Sequence, residues 1–305
     1  MSDTLAPPVA VNGATMRTRC ERLTEIRVQD PGAIARAAAA RTKAPLVPSD
    51  GKLMIIACDH PARGANGVGK RPLAMGNRIE LLDRLVTALA RPGVDGLLGS
   101  PDIIEDLLLL GALENKVVFG SMNRGGLAGA TFELDDRFTG YDARGIADMG
   151  LNGGKTLTRI ALDDAGTADT LQATATAVNE LAERGLAAMV EPFWSSRVNG
   201  KVRNDLSADA VIKSVGVASA LGRTSAYTWM KLPVVPDMDR VMDSTVLPTL
   251  LLGGDPDTRP EETYATWRHA LTLPSVRGLV VGRTLLFPPD DDVEAAVDTA
   301  ASMVR

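Results

Sequence analysis

Histidine and cysteine are scarce in this chain, and each shortage excludes some chemistry. Its 305 residues contain only 2 of each. With His60 and His269 alone, a three-histidine metal centre cannot be assembled. A Mg²⁺ site built from carboxylates stays open, although it needs fewer lysines close by than the strand ends described below provide. Cys20 and Cys58 cannot make a disulfide framework, and Cys58 falls in an apolar run. A reducing, cytoplasmic setting is therefore expected. The start of the chain has no basic segment followed by an apolar one, so no secretory signal is expected. No apolar run approaches the length of a membrane span. Positive charge is not in excess either: the formal net charge is −5. That gives no case for nucleic acid or an anionic membrane surface as partner, and it leaves a homo-oligomer open.

What is present is a large apolar content, 45% of residues, ample for a sizeable core. Small and polar residues with a Pro7-Pro8 pair read as disordered up to about Gly13. Met16, Cys20, Leu23 and Ile26 then recur at helical spacing. Asp30-Pro31 reads as an N-cap and first-turn pair opening a second helix over Ala33–Ala40. This region reads as a cap over the bottom of the fold. From there, strand-like runs at Leu53–Cys58, Val94–Leu98, Lys116–Gly120, Gly154–Ala161, Leu186–Glu191, Tyr227–Leu232, Thr249–Leu252 and Gly278–Val281 alternate with helical segments. Strict alternation of eight such units points to an α/β fold, a closed (β/α)8 TIM barrel. An open doubly wound sheet is the alternative, but no G-x-G-x-x-G follows the first strand. The expected organisation is an N-terminal extension over residues 1–45, then one barrel over 46–305.

Barrels of this kind carry their sites at the C-terminal ends of the strands. The sixth strand, Tyr227-Thr228-Trp229-Met230-Lys231-Leu232, is apolar and aromatic with one lysine near its end. A buried ammonium is costly: it pairs, reaches water, or becomes an amine nucleophile. The fifth strand ends in Glu191 at the matching place, so a lysine and a carboxylate reach one rim. Lys155 on the fourth strand adds a second cation. It would lower the pKa of Lys231, or else neutralise Glu191 or Asp59 in a structural network. Asp59 follows the first strand as a turn cap or as a carboxylate for a substrate hydroxyl, with His60 beside it. His269, on a helix near Trp267, reads as structural. Gly253-Gly254-Asp255 after the seventh strand and Gly282-Arg283 after the eighth fit the phosphate position of this fold. Arg63, Lys70, Arg71 and Arg124, after the first and third strands, are the next candidates for that role.

These pieces together resemble the class I, Schiff-base aldolases typified by tagatose-1,6-bisphosphate aldolase, archaeal-type fructose-bisphosphate aldolase and deoxyribose-phosphate aldolase-like proteins. The resemblance rests on Ala57-Cys58-Asp59-His60, Gly154-Lys155, Met189-Val190-Glu191-Pro192, Trp229-Met230-Lys231-Leu232-Pro233-Val234, Leu252-Gly253-Gly254 and Val281-Gly282-Arg283, in that order. It implies Lys231 as the Schiff-base lysine, Glu191 as acid and base, Lys155 as the neighbouring cation and Asp59 as a substrate contact. Gly253, Gly254, Gly282 and Arg283 would hold phosphate, with His60 nearby. No metal or other cofactor is implied, and the partner is a phosphorylated keto sugar or keto acid. Two features depart from the family. Leu252 stands where a serine is common, and the 123–141 loop has no counterpart. The rival functions are a phosphosugar isomerase or epimerase using Glu191 as base, and a non-catalytic sugar-phosphate-binding regulator.

Overall fold

The computed structural model describes residues 13–254 and 260–305. The first residues read as disordered, and Asp255 after the seventh strand, lie outside that range. Among the described residues there are nine strands: β1 Leu53–Cys58, β2 Gly96–Gly99, β3 Val117–Ser121, β4 Gly153–Ile160, β5 Ala187–Val198, β6 Lys201–Asn204, β7 Thr228–Pro233, β8 Thr249–Leu252 and β9 Val276–Val281. All except β6 pair in parallel, in the order β4-β3-β2-β1-β9-β8-β7-β5, and β4 also pairs with β5. The ring is closed, so the fold is the (β/α)8 barrel with a helical N-terminus.

Strands of such a barrel are covered on both faces, which is why β1 reads Leu-Met-Ile-Ile-Ala-Cys without alternation and is buried throughout. Alternate residues build two separate cores. Leu53, Ile55, Ala57, Leu98, Val117, Phe119, Met189, Trp229, Leu250 and Val280 fill the barrel. The other set, Met54, Ile56, Val118, Val190, Met230 and Leu251 among them, packs against the surrounding helices. Cys58 belongs to this outer layer, and burial pushes its thiol up to about 12. Close strand packing requires glycine at one point in β9. Gly278 has φ +136°, and a Cβ there would collide with the Leu53 carbonyl of β1.

Several helix starts follow the expected chemistry. Ser207 Oγ accepts from Ala210 N at 3.3 Å, Asn77 Oδ1 from Glu80 N at 3.3 Å, and Pro101 occupies the first turn of the helix Pro101–Leu109. Asp30 departs from expectation. It closes the helix Met16–Gln29, its carboxylate holds Arg36, and the helix Ala33–Ala40 has Gly32 at its N-cap with no side-chain cap. The segment after that helix seals the N-terminal end of the barrel. Arg41, buried, donates to the carbonyls of Lys116 and Gly150, each at 3.0 Å. Ala44 and Leu46 pack onto the interior core. Among the described residues, no helix is long and apolar enough to cross a membrane.

β5 differs most from expectation. Instead of ending at Glu191 it continues through Pro192 to Val198 and turns back into β6 in antiparallel register. The turn is Asn199-Gly200, with φ +51° and +74°, the two left-handed positions a tight hairpin needs. A short helix, Arg283–Leu286, follows β9 and was not expected either.

Candidate active site

Strand parity carries the site. The interior-facing series of β1 runs Leu53, Ile55, Ala57, and Asp59 is its next member. By the same alternation Ser121 follows Phe119 on β3, Glu191 follows Met189 on β5, and Lys231 follows Trp229 on β7. Lys155, from β4, completes the layer. These residues stand one step nearer the C-terminal mouth than an apolar floor that includes Phe119, Met189 and Trp229. Glu191 and Lys231 therefore lie inside their strands rather than at the ends.

Glu191 is shared. One carboxylate oxygen is ion-paired with Lys231 Nζ and the other with Lys155 Nζ. Lys155 Nζ also donates to Asp59 Oδ2 at 3.1 Å. That same oxygen takes Arg124, and Ser121 Oγ at 3.3 Å. Asp59 Oδ1 makes no hydrogen bond and faces His60 Nδ1 at 3.9 Å. Asp59 and Lys155 are 0% exposed, Lys231 4%, Glu191 6% and Arg124 7%, so the five charges interact with almost no water between them. Three cations meet two carboxylates here. The surplus positive charge is relieved if one lysine gives up its proton.

The titration behaviour follows that surplus. Burial, then Arg124 and Lys231, hold Lys155 well below the ordinary lysine range against the pull of Glu191. Lys231 is lowered by burial, with Arg124 and Arg283 adding to the effect and Glu191 opposing it. Burial alone would raise Glu191, yet Lys155, Lys231 and Arg124 outweigh it and keep the carboxyl well below its usual value. His60 is held well below its usual value by burial, then by Arg283 and Lys231, so it is neutral at neutral pH.

The glycine ends of β8 and β9 lie side by side, since a Cβ on Gly253 would meet Val281 Cγ1 at 2.5 Å. Gly282 is pressed against the Ala57 carbonyl, with His60 Cε1 3.2 Å from the position of its missing Cβ. Gly254 has φ +71°, and among the described residues no atom lies within 4 Å of where its Cβ would stand. Arg283 opens the short helix and acts electrostatically on both His60 and Lys231. The residues named from sequence thus converge on one mouth. Of the reserve candidates, Arg71 lies over the Phe287 ring at 5.1 Å, Arg63 pairs with Glu133 at 3.6 Å, and Arg124 is on Asp59. Lys70 is exposed. His269 sits on the outer surface, 2.8 Å from Asp239, and is exposed.

Ser121 and the position of Arg124 beside Asp59 were missed. Ser121 was reachable from parity alone, being two residues beyond Phe119. Arg124 was not, because its contact depends on how the 123–141 segment folds. That segment is firmly anchored. Asn123 Nδ2 donates to the carbonyls of Asp136 at 3.0 Å and Leu157 at 2.6 Å, and its Oδ1 accepts from Leu157 N. Asp136 in turn grips the Arg159 guanidinium of β4 at 2.6 and 3.0 Å. Among the described residues, no three His, Cys, Asp or Glu side chains are grouped to hold a metal ion.

Fold and site together define a (β/α)8 barrel protein with a buried lysine–carboxylate cluster at its C-terminal mouth. The chain belongs to the Cgl0159-like family, whose profile matches residues 51–301. The crystal structure of Cgl0159 from Corynebacterium glutamicum is 58% identical, with a TM-score of 0.93 over 98% of this chain and 99% of that one. A Schiff-base-forming fructose-1,6-bisphosphate aldolase is 17% identical, with a TM-score of 0.63 over 89% of this chain and all of its own length (100%). An archaeal fructose 1,6-bisphosphate aldolase is 17% identical, with a TM-score of 0.61 over 89% and 98%. At these identities the likeness to the aldolases is one of fold. No curated protein matches the chain significantly.

Proposed function

We propose that this protein is a class I aldolase, a lyase that reversibly cleaves a phosphorylated keto sugar or keto acid through an iminium on Lys231. The observation that carries the reading is Lys231 itself: a buried lysine, lowered in pKa, on a carboxylate that a second lysine also holds. The fold it shares with Schiff-base aldolases supports the same reading.

The Lys231–Glu191 ion pair passes its proton across the hydrogen bond, leaving an amine beside a carboxylic acid. The amine adds to the substrate ketone, and its proton moves to the new hydroxyl to give the carbinolamine. Glu191 protonates that hydroxyl, water departs, and an iminium remains beside the Glu191 carboxylate. The hydroxyl two carbons away then gives its proton to a carboxylate, Glu191 or Asp59 Oδ1. The C–C bond breaks, its electrons flow into the iminium to make an enamine, and the aldehyde leaves. The protonated carboxylate returns its proton to the enamine carbon. Water hydrolyses the resulting iminium to the ketone product and the Lys231 ammonium. Backbone N–H groups at Gly253, Gly254 and Gly282, with the Arg283 guanidinium, would hold the phosphate. An isomerase using Glu191 as an unaided base fits less well, since it gives no role to the buried Lys231 that is paired with that carboxylate.

The test is reduction with borohydride in the presence of a panel of keto-sugar phosphates, read by intact mass and peptide mapping. The expected result is a substrate adduct on the peptide bearing Lys231, with matching loss of activity. No adduct with any ketone of the panel, or full activity in Lys231→Met, would sink the assignment.

A further inference from the structure

The proposed chemistry leaves Arg124 without a role, and its placement is unusual. It sits at the start of a surface-crossing segment, 123–141, yet it is buried and its guanidinium reaches into the barrel to Asp59. Its Nε, also buried, makes no hydrogen bond. An arginine placed only to neutralise Asp59 is redundant there, because Lys155 and Ser121 already donate to the same oxygen. What Arg124 adds is a positive charge in a cluster that already has enough.

We propose that Arg124 is a positioning residue that makes amine chemistry at Lys231 conditional on the 123–141 segment being seated over the barrel mouth. This rests on the aldolase reading for its consequence, but not for its measurement. Two geometric facts support it. First, Arg124 directly follows Asn123, whose side chain makes a three-bond clamp to Leu157 and Asp136, so the clamp fixes the backbone from which the guanidinium reaches Asp59. Second, Asp136 ties the far part of the same segment to Arg159, two residues beyond Leu157 on β4. The segment therefore delivers its charge as part of a seated unit. With the charge present, protons on Lys155 and Lys231 are both disfavoured, because the Arg124 guanidinium repels each ammonium.

The charged and titratable groups facing Lys231 are Glu191 from β5, Lys155 from β4, Asp59 and His60 after β1, Arg124 after β3 and Arg283 after β9. Of these, Glu191 favours the ammonium, whereas Arg124 and Arg283 oppose it. Withdrawing Arg124 also frees Asp59 to pair more fully with Lys155. Both changes act in one direction, towards protonated lysines.

The experiment measures reductive methylation of Lys231 by formaldehyde and cyanoborohydride against pH, with peptide mass readout. The free amine condenses with formaldehyde, water leaves, and hydride from cyanoborohydride reduces the iminium, so the initial rate follows the unprotonated fraction without needing the substrate. Arg124→Gln is expected to move the rising limb up by about one pH unit, a roughly tenfold lower rate at a fixed pH below it. Arg124→Lys, which keeps the charge, is expected to restore the limb. Asn123→Ala keeps the arginine but opens the clamp, so it should move the limb the same way, and the double variant no further. An unmoved limb in Arg124→Gln overturns the proposal, as does an unmoved limb in Asn123→Ala. Should Arg124→Gln not fold, Asn123→Ala decides alone. A parallel arm with the panel of keto-sugar phosphates, dihydroxyacetone phosphate among them, in place of formaldehyde separates the two levels. No adduct there, with the limb shifts intact, removes the aldolase reading and leaves this inference standing.

Discussion

Replacing Glu191 by glutamine keeps the side-chain shape and removes the charge that both buried lysines share. The carboxylate holds Lys231 and Lys155 through one oxygen each, and it is the group that raises Lys231 against burial and two arginines. A charge-assisted hydrogen bond of this kind contributes roughly 1.5–3 kcal/mol. At about 1.36 kcal/mol per unit, the Lys231 amine should then appear about one to two pH units lower in Glu191→Gln. The sign follows from the chemistry: a carboxylate favours the ammonium, so without it the proton leaves at lower pH. Turnover should move the other way, falling by roughly 10²–10⁴ as the acid that expels water is lost. Lys155→Met gives the opposite limb shift. With Lys155 gone, Glu191 pairs with Lys231 alone, the ammonium is better held, and the free amine appears at higher pH. The assay is the pH dependence of Lys231 reductive methylation beside the pH–rate profile of cleavage. Shifts of the same sign in the two variants would refute the shared-carboxylate reasoning.

Three further outcomes are expected. Asp59→Ala leaves Arg124 buried without its carboxylate, and urea unfolding should show a loss of about 3–5 kcal/mol; a loss below about 1 kcal/mol would mean the cluster relaxes into water. Arg283→Ala should lower kcat/KM about tenfold to a hundredfold for a phosphorylated substrate, the cost of roughly 1.5–3 kcal/mol for a charged partner, and barely affect the unphosphorylated analogue. Equal losses on both would move the phosphate site elsewhere. Cleavage should survive exhaustive chelation, because the protonated imine serves as electron sink. Activity lost to chelator and restored by Zn²⁺, Mn²⁺ or Mg²⁺ would contradict class I chemistry.

Sequence alone determined the barrel, and the reason is periodicity. Eight short, fully apolar runs separated by amphipathic helices leave few other ways to bury both faces of every strand. It also delivered Asp59, Lys155, Glu191 and Lys231 as one set. Each is a charged residue within or next to an otherwise apolar strand, and the pleat allows such a residue only two directions. The hairpin beyond Glu191 was legible too, in Asn199-Gly200, but the apolar run stopping at Glu191-Pro192 masked it. The tertiary structure decided which charges touch. Nothing in the order of residues says that Glu191 is divided between two lysines, or that three donors crowd one oxygen of Asp59. Those contacts depend on ring closure, which sets β4, β5 and β7 side by side. Arg124 depends on more still. Its seat is made by Asn123 and Asp136, polar residues in a glycine-rich stretch with no period to read, which hold Leu157 and Arg159 of β4. Only the folded segment brings that guanidinium to a carboxylate 65 residues earlier in the chain.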